Sequence, residues 1–285
     1  MRQRLLPLLF ALSAFGPATA WGEEALPRVA SLNLCADELV LRLADRAQIA
    51  SVTSLARDGQ LSNVSALAAE VPINDGAAEE IALQAPDLVL TGAFTTQGAS
   101  GFLRRIGTPI LELSMPQTLD GTYDQIIEIA TALGQRERGA AIIGNMHATL
   151  DTSAATGERP RALVLEPNGF TVGPGSLSDE LLARAGLSNA ATELGIAAYG
   201  HVPLETIVLS APDILVVDAD DDAPSLATEI LRHPALARLE GRTQIVAVPS
   251  RLWTCPGPGL VEAVQRLRDG AARWRDAKGD AGGGS

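Results

Sequence analysis

Few side chains in this sequence have the types and spacing that chemistry requires. Its one lysine is Lys278, near the C-terminal end. The chain before it therefore has no amine for a phosphate-gripping loop or a Schiff base. A hydrolase would need a pattern such as Gly-x-Ser-x-Gly or His-Glu-x-x-His, and neither occurs. A bare zinc or manganese site needs three or four clustered His and carboxylate ligands. The only histidines are His147, His201 and His233, and His147 falls in a helical stretch between the two halves of the chain. The acidic run Asp218-Ala219-Asp220-Asp221-Asp222 could hold a cation, but it lacks the Asp-x-Asp-x-Asp-Gly spacing of a calcium loop, and a solvated loop is the plainer account. Cys35 and Cys255 are too few for a four-ligand metal site. A disulfide between them is the default, with free or ligand-facing thiols as its rival.

The elements that must position these groups follow from composition and repetition. At 285 residues, 46% hydrophobic and 20% charged, the chain is rich enough in apolar side chains to fold and long enough for two lobes. Its net charge of -12 opposes contact with a phosphate backbone, so nucleic acid is not an expected partner. Residues 1–20 run from the cationic Met1-Arg2-Gln3-Arg4 through an apolar stretch to Ala18-Thr19-Ala20, the order of a cleaved export signal. That stretch is shorter than the roughly 20 residues needed to span a bilayer, and Pro7 and Pro17 interrupt it. An exported, soluble chain in a disulfide-permitting compartment is expected.

The strongest internal signal is a repeat at an offset of 126 residues. Glu79-Glu80-Ile81-Ala82-Leu83-Gln84-Ala85-Pro86-Asp87-Leu88-Val89-Leu90 returns as Glu205-Thr206-Ile207-Val208-Leu209-Ser210-Ala211-Pro212-Asp213-Ile214-Leu215-Val216. Each copy reads as a short helix, an Ala-Pro-Asp turn that stops it, and an apolar strand. Pro27-Arg28 before one early strand matches Pro160-Arg161 before another. The fold class expected is α/β, with two similar lobes of mainly parallel sheet and a ligand cleft between them. Residues 21–118 form the N-terminal lobe, 119–156 a connecting helical segment and 157–270 the C-terminal lobe, with a disordered tail at 271–285. One long helix is expected to join the lobes. Parallel strands place ligands beyond their carboxyl ends, so the loops at 33–36, 54–60, 92–97, 167–176, 218–222 and 249–258 should line the cleft.

Taken together, the leader, Arg28-Val29-Ala30-Ser31-Leu32 with Glu38 following, the two Glu-to-Pro-Asp repeats and the bridging segment resemble the cobalamin and iron-chelate family of periplasmic substrate-binding proteins, the helical-backbone class that serves ABC importers. The resemblance spans residues 27–270. It implies a periplasmic monomer without catalytic activity or a resident cofactor, which holds a metal chelate between its lobes and docks on a permease dimer. It assigns docking to Glu79 and Glu205, which in any case begin helices whose dipole a carboxylate complements by about 0.3–1 kcal/mol. Phe94, Phe170, Tyr199 and Trp253 fall in the expected cleft loops, as stacking faces for a chelate or as ordinary packing. Phe170 matches an aromatic of the cobalamin-binding members, and Tyr199 stands where they carry tryptophan. Their tryptophan before the first docking glutamate is missing from Val71-Pro72-Ile73-Asn74-Asp75-Gly76. Arg57 and Arg251 would clamp carboxylates or catecholates of a ferric siderophore, or serve only solubility. Tyr199 and His201 would be the residues to ligate heme iron if the chelate is heme.

Overall fold

The repeated Ala-Pro-Asp turn is a joint between helix and strand. In a computed structural model of the chain, the Asp87 carboxylate accepts the backbone N–H of Arg28 at 2.8 Å, and the Arg28 guanidinium donates to the carbonyl of Gln84 at 2.8 Å. In the second half Asp213 accepts the N–H of Arg161 at 2.8 Å, and Arg161 reaches the Ser210 carbonyl at 3.4 Å. Each Pro-Arg/Pro-Asp pair thus fastens the start of one strand to the start of its neighbour. The structure describes residues 25–93, 97–152, 157–166, 169–218, 234, 236–239 and 241–282. The expected leader at 1–20, Phe94, residues 219–222 of the acidic run and His233 lie outside the described residues.

The N-terminal lobe holds strands β1 (Val29–Ser31), β2 (Ile49–Thr53), β3 (Ile73–Asn74), β4 (Leu88–Gly92) and β5 (Ile110–Leu113). They pair in the order β3-β2-β1-β4-β5, every pair parallel. Helices α1 (Leu34–Leu43), α2 (Ser65–Ala68), α3 (Ala78–Gln84) and α4 (Gln97–Arg105) connect them. In the C-terminal lobe β6 (Arg161–Leu165), β8 (Ser188–Asn189), β10 (Ile214–Val217) and β11 (Gln244–Ala247) pair in parallel as β11-β10-β6-β8. A separate antiparallel ribbon joins β7 (Phe170–Val172) to β9 (Tyr199–His201). Helices α7 (Leu177–Arg184), α8 (Leu204–Ser210) and α9 (Gly259–Gly282) complete the lobe. The central strands are buried along their length, as parallel strands covered on both faces must be.

The connection corrects the expectation of one long helix. It is two helices, α5 (Leu119–Ala132) and α6 (Arg136–Leu150), of 14 and 15 residues, each about 21–22 Å long. α5 starts at the C-terminal lobe, where the N–H of Leu119 donates to Glu180 at 2.9 Å, and ends at the N-terminal lobe, where the Leu133 carbonyl accepts from Gln48 at 2.9 Å. α6 runs back: Arg138 donates to the Leu43 carbonyl at 2.8 Å near its start, and Arg268 donates to the Thr149 carbonyl at 2.8 Å near its end. Gly134, at φ +70°, supplies the left-handed turn that breaks the rod. Gly139 lets the two helices touch, since a Cβ there would fall 2.6 Å from that of Ala130. One apolar core passes from Leu39 and Leu43 through Ile126 and Met146 to Leu181, Val216 and Val264, so packing continues from lobe to lobe.

The tail expected to be disordered from 271 is the second half of α9, which runs to Gly282. Its order has a tertiary cause. Arg275 donates to the carbonyls of Glu158 and Gly186 at 3.2 and 3.3 Å, and Lys278 pairs with Glu158 at 2.6 Å while lying 4.6 Å from the centre of the Trp274 ring.

Candidate functional site

In the C-terminal sheet β6 comes first in the chain, β8 lies on one side of it and β10 on the other. The strand order therefore reverses between β6 and β10, and a crevice opens where their carboxyl ends part. Glu166 and Asp218, each the first residue beyond its strand, stand at that point and line a cavity of about 380 Å³. Tyr199, Trp253, Val172, Ser178 and Thr254 line it too, and Met115, Pro116 and Gln117 close it from the segment that leaves the N-terminal lobe. The Asp218 carboxylate accepts the N–H of Ser250 at 2.7 Å. Burial, and then the negative charge of Asp218, hold the pKa of Glu166 above the usual carboxylate range.

The ribbon supplies the aromatic wall. Its register places Phe170 opposite His201 and Val172 opposite Tyr199. Opposed residues share a face, and so do residues two apart along a strand, so Phe170, Val172, Tyr199 and His201 form one surface. Val172 and Tyr199 belong to the cavity lining, which turns that surface toward the cavity. Phe170 and His201 pack edge to face with ring centres 6.0 Å apart. Tyr199 is 62% exposed and Phe170 49%, while Trp253 is half-buried and rests against the core. The result is an aromatic surface with a phenol and an imidazole on it.

Other expected residues stand elsewhere. Arg57 is committed to its own lobe, its guanidinium donating to the carbonyls of Ala68 at 3.1 Å and Val71 at 2.8 Å. It follows β2 as expected, but its side chain folds back to close a loop. Arg251 lines a second hollow of about 420 Å³ with Arg42, Ser62, Asn63, Pro258 and Glu262. That hollow lies on the seam where the lobes meet, and neither arginine lines the cavity of Tyr199 and Trp253. His147 packs its ring at a tilt against that of Tyr123, with ring centres 4.4 Å apart, and contacts Asp151 at 2.7 Å, so it belongs to the connecting helices. Among the described residues no three His, Cys, Asp or Glu side chains gather into a metal-binding group.

The seam is covalent as well as packed. Asn33 caps α1 by accepting from the N–H groups of Cys35 and Ala36, which puts Cys35 in the first turn. There its sulfur is bonded to that of Cys255, with Cα atoms 4.9 Å apart. Asn63 donates to the Arg251 carbonyl at 2.6 Å and to the buried Glu38 at 3.3 Å.

Glu79 and Glu205 each occupy the second position of a seven-residue helix, α3 and α8, and both are exposed. Both helices end in a left-handed alanine, Ala85 at φ 45° and Ala211 at φ 40°, so the two helices stop in the same way.

A family model described as periplasmic binding protein matches residues 29–241. The chain belongs to the periplasmic binding protein family. Members of this family are substrate-binding transport proteins. Among solved structures the periplasmic binding fold recurs in the heme-binding protein RhuT from Roseiflexus sp. RS-1, with 23% identity, a TM-score of 0.69, and 87% of this chain and 100% of that one covered. It recurs in the heme-binding protein HutB of Vibrio cholerae, with 19% identity, a TM-score of 0.68, and coverage of 85% and 97%. The vitamin B12 binding protein BtuF of Vibrio cholerae shares 16% identity at a TM-score of 0.62, with coverage of 87% and 98%. No curated protein matches the sequence.

Within this binding-protein fold, sequence reasoning missed Glu166 and the Met115–Gln117 segment. Glu166 carried a signal, being the first residue past a parallel strand. Met115–Gln117 carried none, because the segment reaches the cavity only by crossing between lobes.

Proposed function

We propose that this periplasmic binding protein captures a metal chelate and delivers it to an ABC importer. The observation that carries the reading is the ribbon face of Phe170, Tyr199 and His201 beside the Trp253 cavity, set at the strand-order reversal of the C-terminal lobe. A chelate with flat apolar faces gains from such a wall, and the cavity falls in the range of about 300–1,000 Å³ usual for small ligands. The acidic Glu166–Asp218 floor favours the cationic or hydrogen-bond-donating edge of the chelate over a carboxylate edge. The export-type leader supports a periplasmic location, and Glu79 and Glu205 serve as the docking carboxylates. The protein acts as a monomer and carries out no chemistry on its cargo.

One specific chelate is favoured by a specific feature. The Tyr199 phenol and the His201 imidazole share a face, and both are of kinds that ligate heme iron. Heme is therefore the second reading for the cargo, with corrinoids and ferric siderophores in the broader class. A binder of bare zinc or manganese is the alternative, and it needs three or four clustered ligands.

Native mass spectrometry of the protein taken from the periplasm tests the reading. A complex heavier than the chain by the mass of a metal chelate is expected, either as isolated or after addition of hemin, cobalamin or a ferric catecholate. A protein that retains only free metal ions, or none of these compounds, would contradict it.

A further inference from the structure

The two docking helices agree where packing does not require it. Along α3 and α8 the half-buried positions have diverged: Glu80 faces Thr206 in the repeat, Ala82 faces Val208, and Gln84 faces Ser210. Ile81 and Ile207 agree, and both are buried in their lobes. The two solvent-facing positions agree as well: Glu79 with Glu205, and Leu83 with Leu209. Leu83 is 88% exposed and Leu209 85%, the most exposed large apolar side chains among the described residues.

A single exposed leucine calls for no explanation. Two of them at one repeat position do, because each forfeits contact with its own lobe. Residues four apart lie on one helical face, so each leucine sits directly beside its glutamate. The left-handed turns at Ala85 and Ala211 end the helices two residues later and send the chain inward to β4 and β10, which leaves both leucines at the outer tips.

We infer that Leu83 and Leu209 are apolar anchors of the docking surface, each forming with Glu79 or Glu205 a paired acid-and-leucine contact for a two-fold symmetric permease. The inference rests on the importer reading above and adds to it the chemistry of the partner. Each permease subunit presents a cationic group beside an apolar socket, in the same arrangement to both lobes. Pseudo-symmetric patches need a partner with repeated sockets. Engagement of both patches at once makes each contact depend on the other. Burial of the leucines makes docking persist at salt concentrations that screen an exposed ion pair.

Photo-crosslinking in intact cells that express the importer tests this. The full exported chain carries p-benzoylphenylalanine in place of Leu83, Leu209, Glu79 or Glu205, or of Ile106 as an exposed control. Adducts from positions 83 and 209 with one and the same multi-span membrane protein are expected, with none from 106. The Leu209→Asp substitution should lower the adduct yield from position 83 at least fivefold while leaving the melting temperature unchanged. Adducts from 79 and 205 but not from 83 and 209 would overturn the leucine assignment and leave the importer reading standing. An adduct between two copies of this chain would overturn the assignment too. Absence of a permease adduct from all four positions would refute the importer reading itself.

Discussion

Asn63 donates its side-chain N–H to the backbone carbonyl of Arg251 across the two lobes at 2.6 Å. The same amide reaches Glu38 at 3.3 Å, and the Cys35–Cys255 bond lies alongside. A hydrogen bond, a disulfide and two packed helices thus hold the lobes on the seam. The cavity of Tyr199 and Trp253 borders these ties, for Trp253, Thr254 and Pro256 of its lining flank Cys255. This arrangement suits a binding protein whose lobes change their angle little on loading, since large hinge motion needs extended, lightly packed connections.

The Cys35→Ala/Cys255→Ala protein should lose about 2–4 kcal/mol of stability, because the bond closes a loop with a sequence separation of 220 residues. That corresponds to a fall in Tm of roughly 5–15 °C for a chain of this size. Calorimetry of both proteins under non-reducing conditions measures it. Two alkylatable thiols in freshly exported wild-type protein, or an unchanged Tm, would show that the lobes are not joined in this way.

Asp37 gives a pH signature. It is fully buried on α1 and accepts from the Thr53 N–H at 3.1 Å and hydroxyl at 2.5 Å, yet burial outweighs these bonds and pushes its pKa from 3.8 up to about 6. The folded state therefore keeps the proton between about pH 4 and pH 6 while the unfolded state releases it, so this group lowers stability as pH rises through that window. Asp37→Asn, which keeps the shape, should gain on wild type by on the order of 2–3 kcal/mol between about pH 4 and about pH 7. Urea unfolding across that range reads the difference. A difference that stays constant with pH would place the titration elsewhere.

Arg57→Ala should destabilise the N-terminal lobe without weakening chelate binding. Two charge-assisted bonds to the Ala68 and Val71 carbonyls would be lost, at about 1.5–3 kcal/mol for a hydrogen bond involving a charged group. A drop in affinity larger than about threefold with stability intact would return Arg57 to the ligand site.

Glu79→Arg/Glu205→Arg should abolish uptake while leaving cargo affinity within about twofold, because both carboxylates are exposed on helices outside the cavity lining. Uptake of labelled chelate by cells carrying the double variant is the measurement. Full uptake would remove both residues from docking.

Much of this frame was legible because its signals are local. The Ala-Pro-Asp turns, with their apolar strands and matching Pro-Arg pairs, announce two equivalent lobes within stretches of a dozen residues. The break at Gly134 was visible as a glycine, but the antiparallel return of α6 depends on Gly139 meeting Ala130, a tertiary contact. The ribbon was hidden for the same reason. β7 and β9 are three residues each and far apart in the chain, so no local pattern announces that Phe170 and His201 stand opposite each other. Sequence position placed Arg57 in the correct loop and could not show where its guanidinium turns. The end of α9 looked polar and glycine-rich, and its order comes from Glu158 and Gly186 on another part of the fold.

Equilibrium binding at the ribbon face is the most direct test of the proposed function. Trp253 lines the cavity, so its fluorescence reports occupancy, and the purified protein can be titrated with hemin, cobalamin and ferric catecholate in parallel. Saturable quenching by at least one of them is predicted. Tyr199→Ala should weaken that affinity by about 3- to 10-fold, as expected for loss of one aromatic contact. No saturable binding by any chelate, or an affinity unchanged by Tyr199→Ala in folded protein, would contradict the proposed function.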